Sequence, residues 1–190
     1  MNSEIILIGP IGSGKTTIAE LLYSRTMLPH RSMDLLRWKY FEEIGYDRHI
    51  ASEKFSEGGF WEMYRYWKPF EAYAVKRLLE DFNECVFDLG ASHSVYEDDE
   101  LFERVRELLD PYPHVILLMP SQDQDESIEI LNARNDYATD AQREVNEHLI
   151  RHHSNYAIAK FTAYTEGKSP EETTDEVLRW ARSNGWTYQP

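Results

Sequence analysis

The residues best suited to chemistry lie near the start of the chain, between Gly9 and Thr16. They have the spacing G-x-x-x-x-G-K-T and follow an apolar run, Ile5 to Ile8, that we expect to form a buried strand. Glycines in such a loop let successive backbone N–H groups point at one anion, and the following helix adds its positive end. The pattern therefore predicts a site for the phosphates of a nucleoside triphosphate, which we expect to be ATP.

The polar side chains of this loop have separate expected roles. Lys15 supplies a positive charge for the outer phosphates, and the hydroxyl of Thr16 is suited to a Mg²⁺ ion. A turn that only joined a strand to a helix would need neither residue. The residues predicted to bind the nucleotide here are Gly12, Ser13, Gly14, Lys15, Thr16 and Thr17.

The composition limits the classes of partner. A chain of 190 residues, 42% of them hydrophobic, is expected to form a single globular domain over residues 1–190. A net charge of −14 argues against nucleic acid as the main partner, because a polyanion would be repelled. No apolar stretch is long enough for a membrane span, and we expect no signal peptide. The single cysteine, Cys85, favours a reducing cytoplasm.

Strands and helices alternate along the chain. Further strands are predicted at residues 30–33, 85–90, 115–119 and 162–165, and one helix is predicted over residues 140–161. Ser169 and Pro170, followed by two glutamates, indicate the start of a last helix. The alternation predicts an α/β fold with a three-layer, doubly wound parallel sheet.

An aromatic-rich helix is predicted over residues 60–82. Gly58 and Gly59 are expected to end the helix before it, and Pro69 is expected to kink it or divide it in two. Core packing explains many of its rings, but one helix face cannot bury them all. The alternative is that some form the wall of a pocket for an organic substrate. The aromatic residues concerned are Phe55, Phe60, Trp61, Tyr64, Tyr66, Trp67, Phe70 and Tyr73.

Two aspartates follow predicted strands, and ligands of such sheets bind beyond the carboxyl ends of the strands. Asp34 follows the second strand, where it could either cap the next helix or orient an acceptor hydroxyl. Asp88 ends the third strand, where it could bond a neighbouring turn or hold Mg²⁺ through water, as a Walker B aspartate does.

These motifs resemble those of the small-molecule P-loop kinases, and most closely those of the shikimate kinase group. Residues 9–17 match the opening of that family, and residues 164–172 resemble the stretch around its adenine-binding loop. The resemblance implies a P-loop fold of the nucleoside-monophosphate-kinase type, with ATP and Mg²⁺ as cofactors. It also implies that the segment from Thr165 through Lys168 to Ser169 wraps the adenine.

The resemblance also assigns residues to the acceptor and to a lid. Asp34 matches the second acid of the family's Asp-x-Asp, which orients the acceptor hydroxyl. Arg134 falls where a mobile lid, at about residues 122–148, carries an arginine for the phosphates, and Arg143 is the alternative. Arg151 lies at the spacing of a substrate-binding arginine.

The half of the site that would hold shikimate departs from the family pattern. Ser32 replaces the first acid of Asp-x-Asp, so either Ser32 or Asp88 could serve at Mg²⁺. The family's Gly-Gly-Gly is represented by Gly90, Ala91 and Ser92. The lid sequence Arg-Pro-Leu-Leu is absent, and Arg134 is followed by Asn135 and Asp136. The expected contacts of the acceptor are Asp34, Arg37, Arg65, Gly90, Ala91 and Arg151, with the arginines as clamps for an anionic group.

The sequence thus predicts an ATP-dependent phosphotransferase that acts on a hydroxyl of a small organic acceptor other than shikimate. Lys15, Asp34 and Arg134 are its predicted catalytic residues. One alternative is a nucleoside or nucleotide kinase in which the aromatic rings stack a base. Another is an ATP-dependent switch or ATPase that transfers no phosphoryl group to a metabolite. The oligomeric state stays open between monomer and homodimer.

Overall fold

Five parallel strands form the centre of the computed structural model, which describes residues 3–135 and 139–188. Their order across the sheet is β2-β3-β1-β4-β5, and every neighbouring pair is parallel. The predicted doubly wound parallel sheet is confirmed. The strands are β1 (Ile5–Ile8), β2 (His30–Ser32), β3 (Val86–Asp88), β4 (Val115–Met119) and β5 (Phe161–Tyr164).

Helices follow the strands on both faces of the sheet, as the pattern of the sequence predicts. In the described residues they are α1 (Lys15–Thr26), α2 (Met33–Glu43), α3 (Arg48–Asp81), α4 (Asp99–Leu109), α5 (Gln124–Arg134), α6 (Asp140–Arg151), α7 (His153–Ile158) and α8 (Pro170–Ser183). None of them is long and apolar enough to cross a membrane.

Two apolar cores lie on opposite faces of the sheet, because successive side chains of a strand point to opposite faces. Ile6 and Ile8 pack in one core with residues of α2, α3 and α4. Ile5 and Leu7 pack in the other core with residues of α1 and α8. The carboxyl end of β1, where the glycine-rich loop begins, is therefore fixed from both sides.

The long helix α3 breaks at a different place from the one predicted at Pro69. Gly58 and Gly59 have non-helical backbone dihedrals, with φ of 72° at Gly59, whereas Pro69 lies inside the helix. The break expected at Gly58 and Gly59 is thus confirmed, whereas the division into two helices at Pro69 is wrong. Glycine loses the most conformational freedom in a helix, so a pair of glycines is a natural breaking point. The break divides α3 into a short first part and a long second part.

The segment predicted as one helix over residues 140–161 is also divided. His152 has an extended backbone and is the N-cap of α7. Its ring nitrogen Nδ1 accepts a hydrogen bond from the backbone N–H of Ser154. Strand β5 then begins at Phe161. Within the lid expected at about residues 122–148, residues 136–138 lie outside the described residues.

Candidate active site

The loop of residues 9–16 joins β1 to α1 in a conformation that needs glycine. Gly14 is the N-cap of α1 with φ of 93°. At Gly12, φ is 79°, and a Cβ atom there would lie 2.3 Å from the side chain of Asn135. Residues with side chains would be strained at both positions, so the glycines of the motif leave the backbone open towards the helix N-terminus.

Lys15 is held inside this loop. Its ammonium group donates hydrogen bonds to the carbonyl oxygens of Gly9, at 2.9 Å, and Pro10, at 3.0 Å. Only 8% of the residue is exposed. Burial lowers the pKa of Lys15, although the charges of Asp88 and Asp34 oppose this. The net effect is a lowered pKa, which the two carboxylates offset only in part.

Thr16 and Asp88 form a pair of oxygen groups beside Lys15. The Thr16 hydroxyl donates to Oδ2 of Asp88 at 2.7 Å, and Asp88 is buried at the end of β3. Ser32 is the register partner of Asp88 in the sheet, so it lies at the same edge. A hydroxyl and a carboxylate are hard oxygen ligands of the kind that Mg²⁺ takes. The donor set thus fits Mg²⁺ beside the phosphate-binding loop.

Asp34 lies in the first turn of α2 and stays accessible. Its side chain is 64% exposed, and its Oδ1 atom lies 3.5 Å from a guanidinium nitrogen of Arg37. A Cβ atom at Gly90 would lie 3.1 Å from Oδ1 of Asp34 and 2.6 Å from Nδ1 of His93. The small residue at position 90 therefore leaves room for the Asp34 carboxylate.

A cavity of about 550 Å³ connects these groups. Asp34 and Arg37 line it together with two unlike groups of residues, which we call its phosphate end and its aromatic end. The phosphate end is lined by Gly12, Gly14, Lys15, Thr16, Thr17 and Asp88. The aromatic end is lined by Phe60, Tyr64, Trp67, Ala91, Val145 and Leu149. The structure thus brings to one cavity all the predicted loop residues except Ser13, and three of the six predicted acceptor residues, Asp34, Arg37 and Ala91.

A smaller cavity of about 220 Å³ shares Gly14 and Thr17 with the larger one. It is lined by residues predicted to bind the nucleotide: Ser13, Arg134, Thr165 and Lys168. The hydroxyl of Thr165 is buried with no hydrogen-bond partner in the described residues, and so is that of Ser13. The Lys168 ammonium lies 2.6 Å from Glu176. Unpaired buried hydroxyls suit a site that a polar ligand completes.

The structure does not bring three of the predicted arginines to either cavity. The side chain of Arg65 is 63% exposed and pairs with Glu62 on the same face of α3. That of Arg151 is 51% exposed and pairs with Asp125 of α5. Arg143 is exposed as well, and none of the three lines a cavity. Of the arginines expected to clamp the acceptor, only Arg37 lines the larger cavity.

Asn146 is a site residue that our sequence analysis missed. It is fully buried in α6, and its side-chain oxygen accepts the backbone N–H of Ile11 at 2.7 Å. Its amide nitrogen donates to the carbonyl oxygen of Ile11 at 3.3 Å. Asn146 therefore fixes the phosphate-binding loop to α6. A polar residue between Val145 and Leu149, on the apolar face of the helix, was the available signal.

A buried ion pair below the aromatic end was missed as well. The Lys68 ammonium donates to Glu71 at 2.7 Å and to the carbonyl oxygens of Ser92, at 2.9 Å, and Val95, at 3.0 Å. Burial would raise the pKa of Glu71, but the charges of Lys68 and His93, together with the hydrogen bonds from Lys68 and Ser92, lower it. The pair holds the turn after β3 in place. The i, i+3 spacing of the two charges in an aromatic helix was its signal.

Glu97, in the segment before α4, forms a polar cluster with Tyr64 of α3 and His148 of α6. Oε1 of Glu97 accepts a hydrogen bond from the Tyr64 hydroxyl at 3.0 Å and lies 2.6 Å from Nε2 of His148. Burial would raise the pKa of Glu97, but these partners and the charge of Lys68 lower it to about 2. The carboxylate is therefore ionised at neutral pH and fixes the Tyr64 ring.

The comparisons with known proteins agree with these motifs and this fold. No protein-family model matches the chain. The chain is 28% identical over 180 residues to a shikimate kinase of Enterococcus faecalis, a match that covers 93% of this chain and 96% of the relative.

Solved structures extend the comparison to the fold. A shikimate kinase of Acinetobacter baumannii in complex with shikimate has a TM-score of 0.68 at 16% identity, covering 97% of this chain and 96% of that one. A gluconokinase of Sinorhizobium meliloti has a TM-score of 0.55 at 15% identity, covering 96% of this chain and 95% of that one. The resemblance to the shikimate kinases is thus confirmed in sequence and in fold over nearly the whole chain.

Proposed function

We propose that the protein is an ATP-dependent kinase that transfers the γ-phosphoryl group to a hydroxyl of a small organic acceptor other than shikimate. One observation carries this proposal: Lys15, the Thr16–Asp88 pair and Asp34 converge on a single cavity of about 550 Å³. Phosphoryl transfer depends mainly on positioning and on neutralising charge, and this set of groups can do both. The similarity to shikimate kinases supports the type of reaction.

In this proposal the nucleotide occupies the phosphate end and the smaller cavity. The backbone N–H groups of the loop and the Lys15 ammonium bind the phosphates, and Thr165 and Lys168 contact the adenine. Thr16 and Asp88, or Ser32 in its place, would hold Mg²⁺, which neutralises phosphate charge when bound.

The acceptor occupies the remainder of the larger cavity, with its hydroxyl at Asp34. The Asp34 carboxylate orients this hydroxyl and can accept its proton, because its side chain lines the cavity and is exposed there. Arg134, which lines the smaller cavity, is the lid arginine that approaches the transferring group. The lid at about residues 122–148 would close over the bound substrates and exclude water from the reaction.

The test is a phosphoryl-transfer screen. The protein is mixed with magnesium ATP and pools of hydroxylated small molecules, including sugar acids, nucleosides and aromatic alcohols, and products heavier by one phosphate are sought by mass spectrometry. Lys15→Ala serves as the blank. Lys54→Ala is the matched control, because Lys54 is an exposed lysine paired with Glu57 and lines neither cavity.

We expect a phosphorylated product with the wild type and Lys54→Ala and none with Lys15→Ala. A nucleoside product would move the assignment to the nucleoside kinases. Tight ATP binding without transfer to any pool would contradict the kinase proposal and favour an ATP-dependent switch.

A further inference from the structure

The polar hydrogens at the aromatic end of the cavity are already donated to other protein groups. The indole N–H of Trp67 donates to the Tyr46 hydroxyl at 3.2 Å, and the Tyr64 hydroxyl donates to Glu97 at 3.0 Å. The Ser92 hydroxyl, which also lines the cavity, donates to Glu71 at 2.5 Å. A ligand placed against this wall therefore meets rings and methyl groups, with no side-chain donor left over among these three residues.

The cations near the aromatic end are also engaged or turned away. Lys68 is buried, and its three ammonium hydrogens are matched by Glu71 and two carbonyl oxygens. Arg65 and Arg151 pair with acids outside the cavity. Among the described lining residues of the larger cavity, Arg37 is the one cation besides Lys15, and it lies beside Asp34. An anionic group deep in the aromatic end would have no positive partner.

The shape of the wall suits a flat ring. The rings of Phe60 and Trp67 meet edge to face, with centroids 6.1 Å apart and an interplanar angle of 87°. Both rings are half-buried, and Val145 and Leu149 of α6 also line this end. Aromatic rings favour stacked or edge-on contacts with another ring, so such a corner gains most from a planar apolar group.

We propose that the phosphoryl acceptor has a flat, apolar ring as its body and presents one hydroxyl to Asp34, and that polyhydroxylated carboxylic acids are rejected. This inference rests on the proposed kinase function. Each hydroxyl or carboxylate of a polyhydroxylated acid would lose water at the aromatic end without gaining a partner, which opposes binding. An apolar ring instead gains from the area that it removes from water.

Binding can be measured separately from transfer. We would titrate the protein, loaded with magnesium ADP, with 2-phenylethanol and benzyl alcohol, and in parallel with shikimate and gluconate, by isothermal calorimetry. We expect the phenyl alcohols to bind at least about tenfold more tightly than either acid, because each polar group of the acids would lose its water without gaining a partner at this wall.

Variants assign the binding to the aromatic end. Phe60→Ala and Trp67→Ala should each weaken phenyl alcohol binding by about tenfold while ADP binding is unchanged, since each removes a ring from the wall. Phe55→Ala is the matched control, because Phe55 belongs to the same helix, is 49% exposed and lines no part of the larger cavity. Using both ring variants guards against one that fails to fold.

The outcomes separate this inference from the kinase proposal. Tighter binding of shikimate or gluconate, or no binding of any of the four probes, would overturn the inference. Transfer from ATP to the acids but not to the phenyl alcohols would overturn it while supporting a kinase. Binding of the phenyl alcohols that is lost in the ring variants supports the inference, and the absence of transfer in that case would count against the kinase proposal alone.

Discussion

The two ends of the larger cavity are built in different ways. The phosphate end comes mostly from one short stretch of chain, residues 12–17, with Asp88 added from β3. The aromatic end collects residues from α3, from the turn after β3 and from α6, which are far apart in the sequence. The first end presents backbone groups that a local motif positions, and the second presents side chains that only tertiary packing brings together. We therefore expect changes at the two ends to have separable effects on nucleotide and acceptor.

Asp34 lines the cavity but belongs to neither of its named ends, and its removal should have the largest effect. Asp34→Asn keeps the size of the side chain but cannot accept the hydroxyl proton, so we expect transfer to fall by about 10²- to 10⁴-fold. ATP affinity should stay within about twofold, because the residue lies outside the phosphate-binding loop. Initial rates and ATP titration measure the two quantities.

The matched control for Asp34→Asn is Asp99→Asn. Both aspartates lie in the first turn of a helix, so both changes remove a similar interaction with the helix dipole. Loss of transfer in both variants would contradict a catalytic role for Asp34, as would an ATP affinity that falls in parallel with the rate.

The buried ion pair under the aromatic end gives the next largest effect. Lys68→Met leaves the Glu71 carboxylate buried without its counter-charge, and we expect a loss of about 3–5 kcal/mol in the free energy of unfolding. Adding Glu71→Leu should recover much of this loss, because no charge is then left unpaired. Urea unfolding of the three proteins checks both statements. Equal stabilities of the single and double variants would contradict them.

The phosphate end has its own structural test in Asn146. Asn146→Ala removes both bonds to Ile11 and leaves a buried backbone N–H without that partner, so we expect a loss of about 1–3 kcal/mol in stability. ATP affinity should fall more than acceptor affinity. Asn132→Ala is the control. Asn132 is likewise an asparagine bonded across a helix contact, because its side chain donates to Glu147 of α6, but this bond does not involve the loop. Equal effects of the two changes on ATP binding would contradict a role for Asn146 in positioning the loop.

The smallest effect concerns acid pH. Folding lowers the pKa of Glu97 from its ordinary value of 4.5 to about 2, so the ionised carboxylate stabilises the folded protein above pH 4.5 and this contribution is lost as the pH falls towards 2. Stability of the wild type should therefore fall more steeply than that of Glu97→Gln across this range. Thermal unfolding at several pH values measures the slopes, with Glu100→Gln, an exposed acid of α4, as the control. Parallel slopes for wild type and Glu97→Gln would contradict the prediction.

The sequence was most informative where function depends on the backbone. The motif at residues 9–16, the strand that precedes it and the helix that follows it could be predicted, because glycine spacing and apolar runs are local features. The capping box of α8, with Ser169 and Glu172, could be recognised for the same reason.

The aromatic end could be predicted only in part. The excess of rings on α3 indicated a pocket wall, but not which rings would form it. Arg65 and Arg151 were assigned by spacing, yet each step along a helix turns a side chain by about 100°, and both residues point to acids on the surface. The direction in which a helical side chain points depends on how the helices pack, and the spacing of residues in the sequence does not specify that packing. Their assignment as acceptor contacts stays a prediction.

Helix α6 touches both ends of the cavity at once. The side chain of Asn146 makes two hydrogen bonds to the backbone of Ile11. Val145 and Leu149, which precede and follow Asn146 in the helix, line the aromatic end. A nucleotide that shifts this peptide must therefore move the wall or strain its bonds to α6. If the nucleotide changes the affinity of the second ligand by some factor, the second ligand must change the affinity of the nucleotide by the same factor. We therefore expect the affinities of the two ligands to depend on one another through this shared helix, by the same factor in each direction.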